Sequence, residues 1–251
     1  MRIGIIILAT NSYFVLGIRF IKRFMQFYAG EKEIKFFFFS DTSPEDYLPD
    51  GYDVKYIHVT NTNWVDGTNL KFTSIISLEN EDITYLFYFD ADTNIYKSFT
   101  EEWFLGDMVG AQHWGDQEWM INNRPFDRNL RSKAYVPKNT SLPEMYFYGA
   151  FFGGIKKRMI EFCKLMRSYQ LADREWGYEP GVNDESYINR EFHFHPPEKI
   201  ILSKNFQFLV SDKGGIGETR RMDLNVDMIK LELKASKNFL VNIANGKVSI
   251  I

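Results

Sequence analysis

The stretch Thr84-Tyr85-Leu86-Phe87-Tyr88-Phe89-Asp90-Ala91-Asp92 constrains the fold more than any other part of the chain. A run of apolar and aromatic residues preceded by Glu79-Asn80-Glu81-Asp82 reads as a fully buried strand, because a strand with one wet face would alternate. The strand runs straight into two carboxylates one residue apart. Ligands of open α/β sheets collect at the carboxyl ends of strands, so Asp90 and Asp92 are expected in a crevice. Two such acids can share one hard divalent cation and leave its other positions to water or a diphosphate. An Asp-x-Asp triplet alone is a weak signal, since two solvated acids capping a turn spell the same letters.

The flanking sequence agrees with a mostly parallel α/β sheet. Ile3-Gly4-Ile5-Ile6-Ile7-Leu8-Ala9 has the length of a buried first strand and is too short to span a membrane. The polar turn Thr10-Asn11-Ser12-Tyr13 leads into Phe14, Ile18, Ile21, Met25 and Tyr28, spaced as one face of a helix. Ile34 to Phe39 predicts a second strand, Val54 to Val59 a third, and Asn69 to Leu78 a helix that delivers the chain to the central strand. Strand, helix and strand in that order argue for a parallel sheet. Glu101 to Lys138 has little periodicity and reads as loops folded over a site. Tyr146 to Gly154 is an aromatic strand broken by glycines, which mark close approach of a ligand or backbone. Helices are expected from Lys156 to about Tyr169 and from Asn183-Asp184-Glu185-Ser186 onward. The tail beyond Lys213 is poorly patterned.

Composition narrows the class. The chain has 251 residues, 45% hydrophobic and 17% aromatic, enough for a substantial core, and no linker divides it. A net charge of -3 without a basic stripe gives no case for nucleic acid. The single Cys163 sits in a helical pattern and reads as a small core residue in a reducing compartment, so a soluble, cytoplasmic protein without a membrane span is expected.

Other motifs weigh less. A phosphatase of the D-x-D-x-[TV] type is disfavoured by Asn94 at the fifth position. His193-Phe194-His195 alternates as a strand would, with both imidazoles on one face, and lacks the further ligands a zinc site needs. Lys213-Gly214-Gly215-Ile216-Gly217 follows no apolar strand and reads as a loop. Asn139-Thr140-Ser141 is a sequon only by letter. Asp184-Glu185 open a helix, where acids are ordinary dipole partners; such a carboxylate can also stand beside a sugar carbon that becomes oxocarbenium-like.

Together these residues resemble the retaining glycosyltransferases of family 6, which include the histo-blood-group A and B transferases and the α-1,3-galactosyltransferases. The resemblance runs from Tyr13 to about Phe208. It is carried by Phe89-Asp90-Ala91-Asp92, by Arg128 with Ala134-Tyr135-Val136-Pro137, by Tyr148-Gly149-Ala150-Phe151-Phe152-Gly153-Gly154, and by Asn183-Asp184-Glu185-Ser186 with Asn189. An anchorless chain of this length looks like the bacterial or phage branch. Several members of that branch replace the acid pair with Asn-x-Asn; this chain keeps the acids.

The resemblance implies a single GT-A domain over 1–251, with a nucleotide-binding part at about 1–95, an acceptor-binding part at about 96–212 and a tail at about 213–251. It implies a UDP-sugar donor, a galactose-containing oligosaccharide acceptor, and Mn²⁺ (or another divalent cation) on Asp90 and Asp92, with Ala91 beside the donor. Tyr13 matches the aromatic that stacks on uracil, and Lys71 falls where the family usually has Arg. His113 matches an acceptor contact, Glu185 the carboxylate beside the anomeric carbon, and Asp184 a group that holds donor hydroxyls. Lys237 looks like a tail lysine that closes over the phosphates. Val182-Asn183 replaces the family's frequent Trp-His. Tyr148, Gly149 and Ala150 occupy the triplet that separates galactose from N-acetylgalactosamine donors, and Tyr148 with Ala150 favours galactose. The activity implied is retaining transfer of galactose or N-acetylgalactosamine in α-1,3 linkage. A UDP-sugar hydrolase and a silent sugar-binding protein on the same fold are the rival readings.

Overall fold

A computed structural model of the chain describes residues 1–60, 64–113, 124–138 and 145–202, with the backbone of two short strands at 241–244 and 247–250. Strands β1 (Arg2–Leu8), β2 (Glu33–Ser40), β3 (Val54–His58), β4 (Tyr85–Asp90), β5 (Met108–Gln112), β6 (Phe147–Ile155) and β7 (Lys199–Ile201) form one sheet in the order β3-β2-β1-β4-β6-β5-β7. Strand β6 is antiparallel to its neighbours β4 and β5, and the remaining pairings are parallel. The helices are α1 (Tyr13–Phe27), α2 (Trp64–Ile76), α3 (Lys156–Arg174) and α4 (Asn183–Phe194). This mostly parallel sheet flanked by helices is consistent with a GT-A-like fold.

The unbroken apolar runs are strands with two dry faces. Ile3, Ile5 and Ile7 of β1, Phe36 and Phe38 of β2, and Phe87 and Phe89 of β4 pack with Phe14, Ile18, Phe20 and Phe24 of α1. The alternate residues Ile6, Phe37, Phe39, Leu86 and Tyr88 pack with Phe72 of α2, Met159, Ile160 and Cys163 of α3, and Ile188 of α4. Side chains alternate along a strand, so helices on both faces demand apolar residues at every position. Cys163 is buried in this second cluster, and burial holds its thiol well above the usual range. Gly153 explains a glycine in an otherwise aromatic strand: a Cβ there would lie 2.3 Å from Phe87 Cδ1 and 2.4 Å from the Leu86 carbonyl of β4.

Several expectations are corrected. His193 lies in the last turn of α4 and His195 caps its end, so they do not share a strand face: His193 is buried against the Phe126 ring, whereas the His195 side chain is 72% exposed and bonded to Glu191. The helical period of Tyr187, Ile188 and Phe192 carries through His193, and Pro196-Pro197 sets the stop. Helix α2 begins at Trp64 rather than Asn69, and α3 runs on to Arg174. The region read as loops contains β5, and β7 was not expected. In the tail, β8 (Val241–Ala244) and β9 (Lys247–Ile250) pair antiparallel. The Lys213–Gly217 segment and the sequon lie outside the described residues. Among the described residues, no helix is long and apolar enough to cross a membrane.

Candidate active site

Strands β1 and β4 are parallel neighbours whose carboxyl ends meet, with Leu8 opposite Asp90. The chain leaves β1 toward β2 and reaches β4 on the other side, which opens a crevice between the two strand ends. Antiparallel β6 begins at the same edge, and the start of α4 lies beside it. The resulting cleft has a volume of about 580 Å³. It is lined by Thr10 to Tyr13 after β1, by Asp90, Ala91 and Asp92 after β4, by Gly149 and Ala150 of β6, by Val182 to Glu185, by Lys71 of α2, and by His113.

Two asparagines shape the turns at its rim. Asn11 (φ 55°) and Asn183 (φ 43°) adopt left-handed backbone conformations, which asparagine tolerates better than most residues. Asn11 donates its N–H to the Asp41 carboxylate at the end of β2, at 3.1 Å, and Tyr13 donates its N–H back to Thr10. This places Tyr13, 40% exposed, at the lip of the cleft.

Lys71 ties three elements together. Its ammonium lies 2.5 Å from Asp184 Oδ2, donates to the Gly149 carbonyl at 2.9 Å, and sits 3.6 Å from Asp90. The Tyr88 ring lies 4.5 Å beneath it, and the Tyr88 hydroxyl donates to Asp90 Oδ1 at 3.0 Å. Burial favours a neutral Lys71, but Asp184 and Asp90 outweigh it and hold the ammonium above the ordinary lysine range. Burial likewise raises the Asp184 carboxyl, opposed by Lys71. Burial, then Asp90, pushes the Tyr88 phenol well up, so it remains a hydrogen-bond donor.

Glu185 is held by the strand it faces. The Gly149 N–H donates to its Oε2 at 2.7 Å, and a Cβ on Gly149 would stand 3.0 Å from the Glu185 Cβ. A side chain at that position would press on Glu185 and shift it by a few tenths of an ångström. The buried Tyr146 phenol is raised well above its usual range, by burial first and then by the Glu185 charge.

The profile of glycosyltransferase family 6 matches residues 1–222. The chain belongs to this family. Globoside alpha-1,3-N-acetylgalactosaminyltransferase 1 of Gallus gallus is 27% identical over 209 residues, which are 80% of this chain and 60% of that protein. Histo-blood group ABO system transferase 1 of Rattus norvegicus is 25% identical over 211 residues, 79% of this chain and 59% of its own. The O-antigen biosynthesis glycosyltransferase WbnI of Escherichia coli is 26% identical over 214 residues, 83% of this chain and 88% of its own. The chain thus spans about 60% of the length of the vertebrate relatives it matches.

Of the residues singled out from sequence in this family 6 chain, Tyr13, Lys71, Asp90, Ala91, Asp92, His113, Gly149, Ala150, Asp184 and Glu185 share one cleft. Tyr148 is buried and does not line it; its ring packs 4.2 Å from the His113 ring. Lys237 lies outside the described residues. Arg128 donates to the carbonyls of Val136 and Pro137, so the Arg128 and Ala134–Pro137 motifs are two ends of one closed loop. Reading the sequence missed Tyr88, Asn11 with Asp41, and Tyr146. A polar tip on an otherwise apolar strand directly before the acids was the one signal for Tyr88.

The donor set suits a shared divalent cation. Among the described residues no three His, Cys, Asp or Glu side chains form a cage of their own. Four carboxylates (Asp90, Asp92, Asp184, Glu185) line the cleft with a single lysine, leaving formal negative charge in excess. That excess of negative charge is one a divalent cation on Asp90 and Asp92 would offset.

Proposed function

We propose that this chain is a retaining glycosyltransferase that moves galactose from UDP-galactose, and less readily N-acetylgalactosamine, to a galactose-type acceptor in a new α-1,3 linkage. The observation that carries the reading is the convergence of Asp90 and Asp92, Lys71 with Asp184, and the anchored Glu185 in one cleft of a family 6 chain. Asp90 and Asp92 would hold Mn²⁺. When bound there, the ion would act as a Lewis acid that stabilises the departing UDP. Tyr13 offers its exposed ring to the uracil. Asp184, fixed by Lys71, accepts hydrogen bonds from donor-sugar hydroxyls.

The Gly149 N–H occupies one oxygen of Glu185 and steadies the carboxylate against the anomeric carbon. As the C1–O bond to UDP breaks, the carboxylate faces the developing positive charge. It either attacks C1 or stabilises the cation while the acceptor hydroxyl enters on the leaving-group face. In both cases the acceptor O3–C1 bond replaces the UDP bond, and the acceptor proton leaves with the diphosphate or to solvent. Ala150 lines the cleft, where a methyl in place of hydrogen would leave less room for an acetamido group on C2 of the donor.

UDP release from UDP-galactose with Mn²⁺, measured with and without lactose or a fucosylated galactoside, tests the reading. Release that requires both acceptor and metal supports transfer. Equal release without acceptor supports hydrolysis, and no release supports a binding protein.

A further inference from the structure

Asn189 follows Glu185 by one turn of α4 and is fully buried, at 0% exposure. Its Oδ1 accepts the Phe147 N–H at 2.7 Å, and its Nδ2 donates to the Phe147 carbonyl at 2.9 Å and to the Glu185 carbonyl at 2.9 Å. Oxygen and nitrogen cannot be exchanged, because the N–H can only donate and the two carbonyls can only accept. The carboxamide therefore pairs with Phe147 as the peptide of an adjoining strand would.

Two residues further along β6, the Gly149 N–H donates to Glu185 Oε2 at 2.7 Å. Helix and strand are stitched at two points, Asn189 to Phe147 and Glu185 to Gly149. Four residues of helix rise about 6 Å and two residues of strand about 6.6 Å, so the two ties match in spacing. These direct ties add to the Lys71 link at Asp184 and to the packing of Phe192 on Phe147. Together they fix the register and azimuth of the helix against the strand.

We infer that Asn189 is a positioning residue for Glu185: it does not line the cleft, and it holds the Glu185 turn of α4 against β6 so that the carboxylate meets the reacting carbon. This rests on the reading of Glu185 as the reacting carboxylate. The chemistry needs that placement more than binding does, because the turn after β1 and the acids after β4, proposed to hold the nucleotide, are on other elements. Displacement of Glu185 should lower turnover while nucleotide affinity stays.

The test compares Asn189→Ala and the isosteric Asn189→Asp with wild type and Glu185→Gln, using UDP-galactose and lactose for turnover and calorimetry for UDP. Asn189→Asp keeps the acceptor for the Phe147 N–H and sets an oxygen against two carbonyls in place of a donor. The expected result is a kcat lowered about 10- to 100-fold in both variants, with the UDP dissociation constant within about threefold of wild type. Wild-type kcat in either folded variant overturns the inference, as does parallel loss of UDP affinity and kcat. Failure of both variants to fold also overturns it, since Asn189 would then serve stability. Full transfer by Glu185→Gln would instead remove the reading of Glu185 on which the inference rests.

Discussion

Lys71→Met keeps an unbranched stem and removes the ammonium that joins α2, β6 and α4. In the native protein that ammonium lies 2.5 Å from Asp184, and the two side chains are 5% and 6% exposed. The same ammonium satisfies the Gly149 carbonyl at 2.9 Å. Removing one member of a pair so buried costs about 3–5 kcal/mol, because the other charge is left uncompensated. At roughly 2–4 °C per kcal/mol for a chain of this size, the melting temperature should fall by about 6–20 °C. The deficit should depend on pH with a definite sign. Burial already raises the Asp184 carboxyl against the pull of Lys71, and without the lysine it rises further. A carboxyl whose native value exceeds its unfolded value takes up protons on folding, so its neutral form relieves the variant at acid pH. The deficit should be smallest there and widen as pH rises from the unfolded carboxyl range through the raised native value. Scanning calorimetry of both proteins between acid and neutral pH measures it. An unchanged melting temperature at neutral pH, or a deficit that shrinks as pH rises, would refute the buried-pair reasoning.

Asp173 accepts from Ser132 Oγ at 2.8 Å, the Lys133 N–H at 2.8 Å and Tyr187 Oη at 3.2 Å. Urea unfolding of Asp173→Ala should show a loss of about 2–5 kcal/mol from donors left unpaired. Ala150→Gly should admit the larger sugar and narrow the galactose preference, by an amount within the roughly 1–3 kcal/mol that a small pocket change commands; competitive turnover with both donors reads it. A wild-type preference for UDP-N-acetylgalactosamine would contradict the proposed role of Ala150. Asp92→Asn should lower activity and its Mn²⁺ dependence together, and wild-type turnover undiminished by a chelator would contradict a metal on Asp90 and Asp92.

What was legible in the sequence follows from burial. Strands β1, β2 and β4 stand out because helices on both faces bury their central residues, so Ile5-Ile6-Ile7 and Phe36-Phe37-Phe38-Phe39 carry no helical period. Strand β5 escaped because Met108–Gln112 is short and mixed, and β7 because three residues carry no pattern. The two-residue alternation of His193 and His195 misled because the period of Ile188 and Phe192 was not followed to the prolines. At the site, the acids were legible as types, whereas their couplings were not. Lys71 and Asp184 are 113 positions apart, and Phe147 and Asn189 are 42 apart. No local pattern records which buried cation answers which carboxylate. The Gly149 position was legible as a glycine in a strand; its reason, room for the close approach of Glu185, needed the fold.

Proton NMR of the product formed from UDP-galactose, lactose and Mn²⁺ shows whether the cleft built around Asp90, Asp92 and Glu185 transfers galactose with retention, as proposed. The expected product is a trisaccharide with galactose α-linked to O3 of the terminal galactose of lactose. A β-linked product, or free galactose with unchanged lactose, would contradict that proposal.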